Sequence, residues 1–190
     1  MNKKNEQIVG SSFLHDSSIL HVTGEANYLD DIFNREDTLH AAIVLSKHPN
    51  AKILNIDYSE ALKINGVIRV LTSNDIPGNN KIGPIIHDEP ALADKNISYL
   101  GQPVAIVIAK SHKIANQATS KVKLLVEVFD PIFDLEDAHN KKSYVVPEMK
   151  ILRGDPKKMF KKAENVLSGE LKIGGQDHFY LEGQIACSIP

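Results

Sequence analysis

The stretch PVAIVIA, residues 103–109, is almost entirely apolar and sets the fold class of this chain. Such a run predicts a strand buried on both faces, because a strand with one wet face would alternate apolar and polar residues. Ser111 begins the predicted helix that follows, whose apolar stripe has spacings of three and four residues and consists of Ala115, Ala118 and Val122. A further strand is predicted over 124–129. If the two strands are parallel, the crossover between them is right-handed.

A similar unit precedes this one. Its predicted elements are strands over 39–45, 52–56 and 67–71 and a short helix over 60–64. Ser59 is the predicted N-cap of that helix, since its hydroxyl can accept from free backbone N–H groups in the first turn. Asn65-Gly66 supplies the left-handed residue that ends helices. Together the two units predict a mixed α+β domain over residues 21–138.

Three segments show no regular period. Residues 1–20 are mixed polar and are predicted to form an N-terminal arm, and residues 139–165 are predicted to form a connector. Residues 77–99 are the longest unpatterned stretch, and they lie between the two units. A loop of that length inside a compact domain is usually functional or covered by another body.

The last 25 residues return to a strand pattern. Apolar and polar residues alternate from Leu167 to Ile173, Gly174-Gly175 interrupts the alternation, and residues 179–189 are strand-like again. A strand without a neighbour leaves its N–H and C=O groups unpaired, so a sheet that opens here needs further strands. We therefore expect residues 166–190 to be the truncated start of a second domain, and the sequence to be the front part of a longer protein.

Composition excludes several function classes. The chain has 22 Lys+Arg and 24 Asp+Glu, a formal charge of −2, and so lacks the long-range field that gathers nucleic acid or anionic lipid. A single cysteine can form neither an internal disulfide nor a thiolate zinc site, which fits a reducing compartment such as the cytoplasm. Residues 1–18 lack the apolar core of a signal peptide, and no run of about 18 apolar residues occurs. Neither export nor membrane spanning is predicted.

The long loop contains one candidate chemical cluster, His87-Asp88-Glu89. These residue types suit a metal or acid–base site, but three consecutive loop residues rarely converge on one ion, so a solvated turn before Pro90 is the favoured interpretation. The eight histidines include no His-x-x-x-His pair, which argues against a zinc hydrolase. The glycine signatures of phosphate loops, of dinucleotide sites and of the serine nucleophile elbow are all missing from the sequence.

A second candidate cluster lies near the C-terminus and consists of Asp177, His178, Tyr180 and Glu182. On a strand the side chains of Asp177 and His178 would point to opposite faces. Side chains that alternate between core and solvent are therefore favoured over a site for acid–base catalysis. Two roles are equally favoured for Gly174-Gly175-Gln176: the glycines could let a ligand approach the backbone, or they could form a bulge. Cys187 is predicted to pack in an apolar strand. The glycosylation sequon at 96–98 has no physical meaning without export.

Five blocks of sequence, taken in order, resemble the molybdenum-binding part of xanthine dehydrogenases and aldehyde oxidases. They are HVTGEANYLDDI at 21–32, LHAA at 39–42, IGPIIHDEP at 82–90, YLGQPV at 99–104 and GGQDHFYLEGQ at 174–184. The resemblance covers nearly everything from about residue 8 to the end. The block at 82–90 looks more like the molybdenum-binding subunit of bacterial xanthine dehydrogenases than like aldehyde oxidases.

The resemblance implies an α/β hammerhead domain over 21–138, followed by the first strands of a molybdopterin-binding domain over 166–190. In this family a molybdenum centre held by molybdopterin hydroxylates a purine carbon with oxygen from water. Electrons then leave through two [2Fe-2S] clusters and FAD to NAD. The cysteine clusters that iron–sulfur centres need are missing from this chain, so the resemblance implies that these centres and FAD lie on a partner subunit.

The resemblance supplies no site residue. The family's catalytic, cofactor-contacting and substrate-positioning residues lie downstream of the matched blocks, so no catalytic, cofactor-binding or metal-binding residue is predicted in this chain. Asp177 stands where the family usually has glutamate, which keeps the charge. We expect the chain to be inactive alone, as the product of a disrupted or split gene. Two alternatives are a non-catalytic assembly module or gene remnant, and a subunit of an aldehyde oxidase-like enzyme.

Overall fold

A computed structural model describes residues 9–32, 36–180 and 183–189 of the chain. The chain divides into two compact units. One unit consists of Met1–Thr38 together with Gly174–Pro190, and the other is Leu39–Ile173. Every strand among the described residues belongs to the second unit.

Two three-stranded sheets form the second unit. The strands are β1 (His40–Leu45), β2 (Ala51–Asp57), β3 (Val67–Thr72), β4 (Asn96–Ile97), β5 (Pro103–Ala109) and β6 (Lys123–Val128). Sheet A has the order β1-β5-β3 and sheet B the order β4-β2-β6, and every pairing is antiparallel. Consecutive strands therefore alternate between the two sheets along the whole domain.

Short helices complete the structure. They are α1 (Ser18–Thr23), α2 (Leu29–Ile32), α3 (Ser59–Leu62), α4 (His112–Thr119), α5 (Leu135–Asn140) and α6 (Pro156–Lys162), with a 3-10 turn at Ser73–Asp75. The first of these begins inside the predicted N-terminal arm, and α6 lies inside the predicted connector. None of the helices in the described part of the chain has the length and apolar character needed to cross a bilayer.

The apolar run at 103–109 is the central strand of sheet A, as its composition predicts. β5 has a partner on each side, and Val104, Ala105, Val107 and Ala109 are fully buried. The condition stated for a right-handed crossover, a parallel pairing of the two strands, is not met. β1 and β3 occupy both edges of β5, so the strand that follows α4 pairs in sheet B instead. A central antiparallel strand can thus be as apolar as a parallel one.

Small side chains let α4 lie close to sheet A. The predicted stripe is confirmed, because Ala115 and Ala118 are fully buried and Val122 packs against the same core. The main cluster consists of Val44, Ala61, Val70, Ala105, Val107 and Ala118. Since alanine carries only a Cβ, helix and sheet approach closely and leave little space for water. Ser111 caps this helix, since its Oγ accepts from the N–H of Ile114 at 3.3 Å.

The helix predicted over 60–64 forms earlier in the chain, as α3, and its predicted cap at Ser59 is wrong. Ser59 is the first helical residue, and its N–H donates to the carboxylate of Asp57 at 3.0 Å. The hydroxyl of Ser59 is the main reason that the pKa of Asp57 lies below its usual value, and this N–H is the second. Gly66 has φ of +93°, which agrees with the predicted left-handed end.

The strands predicted within 166–190 are not formed among the described residues. Residues 163–180 and 183–189 have neither helical nor strand hydrogen bonding, and each of them is exposed. Alternation from Leu167 to Ile173 fits a strand, but a strand exists only when another strand pairs with it. No described segment of the chain supplies that neighbour.

Candidate functional site

The long loop between β3 and β5 is closed by the side chain of Asn80. Its Nδ2 donates to the carbonyl of Leu92 at 2.8 Å, and its Oδ1 accepts from the N–H of Leu92 at 3.1 Å. The N–H of Ala91 donates to the Asn80 carbonyl at 2.7 Å. Four backbone groups and the two polar groups of the Asn80 side chain are thus satisfied at one point, which fixes both ends of the segment between residues 80 and 92.

The tip of the loop is held by backbone hydrogen bonds and one glycine. The N–H of Ile82 donates to the carbonyl of Glu89 at 2.9 Å, and the N–H of Asp88 to that of Ile86 at 2.9 Å. A Cβ added to Gly83 would lie 1.9 Å from the Ile86 carbonyl oxygen. Only glycine fits there without moving the backbone. We call this closed segment between residues 80 and 92 the protrusion.

The structure places His87, Asp88 and Glu89 on the exposed side of this protrusion. Within the described ranges, no group of three or more His, Cys, Asp or Glu side chains is arranged to hold a metal ion. Glu89 has a different role, because its Oε1 accepts from the hydroxyl of Tyr99 at 3.2 Å. Partial burial of the phenol, with a further contribution from Glu89, raises the pKa of Tyr99. The carboxylate therefore ties the protrusion to the segment before β5.

A polar cavity of about 360 Å³ lies between the protrusion and β4. Its lining includes Asn79, Lys81, Asp88, Asp94, Asn96 and Ser98. Each of these six residues is exposed, so the cavity is an open groove that offers hydrogen bonds in competition with water. The sequon residue Asn96 lines this groove, whereas its neighbour Ile97 is buried in the core.

The C-terminal candidates are not brought together as a site. Asp177, His178 and Tyr180 are exposed, and Glu182 lies outside the described residues. An added Cβ at Gly174 or Gly175 would meet nothing within 4 Å, so these glycines provide neither a close approach nor a bulge here. The expected packing of Cys187 in a strand is wrong, because its segment is not a strand and its thiol is exposed. The missing neighbour strand explains both results.

Reasoning from residue chemistry missed the apolar tip of the protrusion. Ile82, Ile85 and Ile86 are all exposed, and Ile85 is 90% exposed. The sequence signal was available, since isoleucines inside a loop rich in glycine and proline have no strand or helix that would bury them.

Comparison with known proteins gives two family matches. The aldehyde oxidase and xanthine dehydrogenase a/b hammerhead domain matches residues 23–128, and a molybdopterin cofactor-binding domain matches residues 136–190. The first match covers both sheets, α3 and α4. The second begins within α5 and continues into the exposed C-terminal segment.

Individual relatives agree with the family matches. Xanthine dehydrogenase/oxidase of Mus musculus is 40% identical over 185 residues, which are 97% of this chain and 14% of that protein. Xanthine dehydrogenase 1 of Arabidopsis thaliana is 42% identical over 177 residues, 92% of this chain and 13% of that protein. The solved aldehyde oxidoreductase of Desulfovibrio desulfuricans has a TM-score of 0.63 at 36% identity, covering 69% of this chain and 16% of that one. The chain thus spans about one seventh of the length of these curated relatives.

The described residues do not form a cradle for molybdopterin. Every residue from 139 to 180 is exposed, so this described stretch of the match to the cofactor-binding domain encloses no cavity by itself. It also presents no buried polar atom that a pterin or phosphate would satisfy. We derive no reaction step through that cofactor from these residues.

The part of the chain that forms the two sheets nonetheless establishes the family. The hammerhead match extends over more than half of the chain, and the two sheets that it covers have the same fold as the solved aldehyde oxidoreductase. The chain belongs to the aldehyde oxidase and xanthine dehydrogenase family, and it comprises the hammerhead domain followed by the start of a molybdopterin cofactor-binding domain.

Proposed function

We propose that this chain is the N-terminal part of the molybdenum-binding subunit of a xanthine dehydrogenase. The complete enzyme would hydroxylate hypoxanthine and xanthine to urate in purine catabolism. The observation that supports this most is the 40% identity to a xanthine dehydrogenase/oxidase over 97% of the chain. The sequence block at 82–90, which forms the protrusion, points in the same direction.

Within that enzyme the chain contributes structure rather than catalytic groups. Its domains are the arm at 1–20, the hammerhead at 21–138, a connector at 139–165 and the start of the molybdopterin-binding domain at 166–190. We assign no catalytic, cofactor-binding or metal-binding residue to it. The chain alone is proposed to be inactive, because the exposed residues 139–180 need the rest of their domain before they can enclose a cofactor.

The proposal includes cofactors and partners of the complete enzyme. Molybdenum-molybdopterin would be held once the remainder of the molybdenum-binding subunit is present. A partner subunit would supply [2Fe-2S] clusters and FAD, and the assembly would work in the cytoplasm. The single cysteine of this chain is consistent with iron–sulfur ligands that lie elsewhere.

Co-expression tests this proposal. The chain is produced with an iron–sulfur/FAD subunit and with a polypeptide that supplies the rest of the molybdenum-binding subunit, and the purified complex is assayed for molybdenum and for xanthine-dependent NAD reduction. We expect both signals with the chain and neither when the chain is omitted. Molybdenum and turnover of equal size without the chain would refute the proposal.

Two alternatives are separated by the same preparation. The 36% identity to an aldehyde oxidoreductase supports an aldehyde, in place of a purine, as the alternative substrate class. Assays with xanthine, hypoxanthine and an aromatic aldehyde in parallel decide between them, and exclusive aldehyde turnover would overturn the purine assignment. A stable complex that contains the chain but never acquires molybdenum would instead identify a non-catalytic assembly module.

A further inference from the structure

Residues 141–162, which we call the basic segment, concentrate positive charge in an otherwise acidic chain. The segment has eight lysines and arginines but only two acidic residues, for a net charge of +6, whereas the whole chain carries −2. The cations are Lys141, Lys142, Lys150, Arg153, Lys157, Lys158, Lys161 and Lys162. Such a local excess creates a field at close range even though the net charge of the chain is small.

Few of these charges are neutralised within the described part of the chain. Lys141 lies 3.8 Å from Asp137, and Lys150 lies 3.8 Å from Glu148. The four lysines of α6 form no ion pair with any described residue. Since exposed ion pairs at this distance contribute little, the basic segment keeps almost its full charge for an outside partner.

The helix in this segment separates its charges from its apolar side chains. Asp155 caps α6 by accepting from the N–H of Lys158 at 3.0 Å, and Pro156 occupies the first turn. At about 100° per residue the four lysines fall on one arc of the helix, and Met159 and Phe160 fall on the other. Met159 is 64% exposed and Phe160 is 67% exposed. Both arcs are therefore available for contact.

The residues before α6 favour a polypeptide partner over a lipid surface. Residues 145–154 have neither helical nor strand structure, yet they include exposed apolar side chains such as Val145, Met149 and Ile151. Burying these side chains in lipid would also remove unpaired backbone N–H and C=O groups from water, at high cost. A protein surface can pair those groups with its own backbone while it covers the apolar side chains.

We propose that the basic segment docks on an acidic polypeptide surface with apolar pockets, supplied by the remainder of the molybdopterin-binding domain. This inference rests on the proposed function. It is supported by the domain match at 136–190, which spans the segment, and by relatives that are about seven times longer than the matched stretch. The lysines select and orient that surface, and Met159 and Phe160 insert into it.

The experiment uses the full chain and a defined probe. The chain is co-expressed with the part of the Mus musculus xanthine dehydrogenase/oxidase that follows the matched residues, and the affinity of the complex is measured at increasing NaCl concentrations. The test variant is Lys157→Glu, Lys158→Glu, Lys161→Glu and Lys162→Glu combined. The matched control combines Lys47→Glu, Lys110→Glu, Lys113→Glu and Lys121→Glu, which changes net charge equally at other exposed lysines.

We expect the test variant to bind at least about tenfold more weakly at low salt and to lose its salt dependence, while the control keeps both within about twofold. A third variant, Met159→Ser with Phe160→Ser, should weaken binding and leave its salt dependence unchanged. Circular dichroism of each variant establishes that the hammerhead fold is retained. Equal affinity of the test variant and the wild type would overturn this inference alone.

Two other outcomes have distinct meanings. If the wild-type chain forms no complex with the probe under any condition, both the inference and the proposed function fall. Binding of the chain to vesicles of phosphatidylcholine and phosphatidylserine, with no salt-dependent complex with the polypeptide, would replace the acidic protein surface by a lipid surface and so overturn the inference.

Discussion

The carboxylate of Asp75 folds back onto the backbone of Thr72 at the end of β3. Its Oδ2 accepts from the N–H of Thr72 at 2.9 Å and from the hydroxyl of the same residue at 3.1 Å. Arg69 Nη2 donates to Oδ1 at 2.8 Å. These interactions, with the Thr72 N–H as the largest contribution, hold the pKa of Asp75 below its ordinary value.

The stability of the hammerhead domain should therefore depend on the charge of Asp75. A carboxyl with a lowered folded pKa stabilises the protein above its unfolded value of 3.8, and this stabilisation is lost as the pH falls through the folded pKa. We expect Asp75→Asn to lower the urea midpoint at neutral pH and to reduce its fall in acid. Chemical denaturation across the acidic range measures this. Asp130→Asn is the control, and an identical acid dependence in both variants would contradict the prediction.

The core of sheet B should depend on Ile97, which is 1% exposed and pairs with Ala51 in the neighbouring strand. Ile97→Ala removes methyl and methylene groups from a packed site and should cost about 2–5 kcal/mol, whereas Ile97→Val should cost about 0.5–1.5 kcal/mol. The exposed Ile85 is the control, since Ile85→Ala should stay within about 0.5 kcal/mol of wild type. Urea unfolding gives all three values, and similar costs for Ile97→Ala and Ile85→Ala would show that Ile97 is not a core residue.

The shape of the protrusion should depend on Gly83. An alanine there places its Cβ against the carbonyl oxygen of Ile86, so the backbone of the tip must move. We expect Gly83→Ala to accelerate hydrogen exchange at the amides of Ile82 and Asp88, whose hydrogen bonds form the tip. Gly78→Ala is the matched control, because an added Cβ at Gly78 meets nothing within 4 Å. Unchanged exchange in Gly83→Ala would mean that the tip adopts another conformation in solution.

The contact between Tyr99 and Glu89 should be visible in a tyrosine titration. Partial burial and the neighbouring carboxylate both favour the neutral phenol, so Tyr99 should ionise above its ordinary pKa of 10.0. The difference in tyrosinate absorbance between wild type and Tyr99→Phe isolates this group. Glu89→Gln should lower the pKa partway toward the ordinary value, since burial remains. A Tyr99 that titrates at or below 10.0 in the wild type would refute the contact.

Local patterns predicted most elements of the hammerhead domain, but not how they combine. The apolar run of β5, the alanine stripe of α4 and the glycine after α3 all depend on neighbouring residues, so the sequence displays them directly. Sheet membership depends on distant partners instead. Ala109 pairs with His40 on one side and with Val67 on the other, and no local period encodes either contact.

The candidate site was predictable only in part for related reasons. A loop of unusual length marked the protrusion, but the closure by Asn80 joins residues 12 positions apart and leaves no motif. Alternation at Leu167 to Ile173 predicted a strand whose partner is not among the described residues. Charge in the basic segment is spread over 22 positions, so the net charge of the whole chain does not reveal it.

The alternation of consecutive strands between sheets A and B has a consequence for folding. No two consecutive strands from β1 to β6 form a hairpin, so neither sheet can start from a local contact and each must close several loops first. We expect slow, highly cooperative folding in which both sheets appear together. A peptide bond cleaved anywhere between β2 and β5 would divide the strands of both sheets between the two pieces, so neither half of this domain should fold without the other.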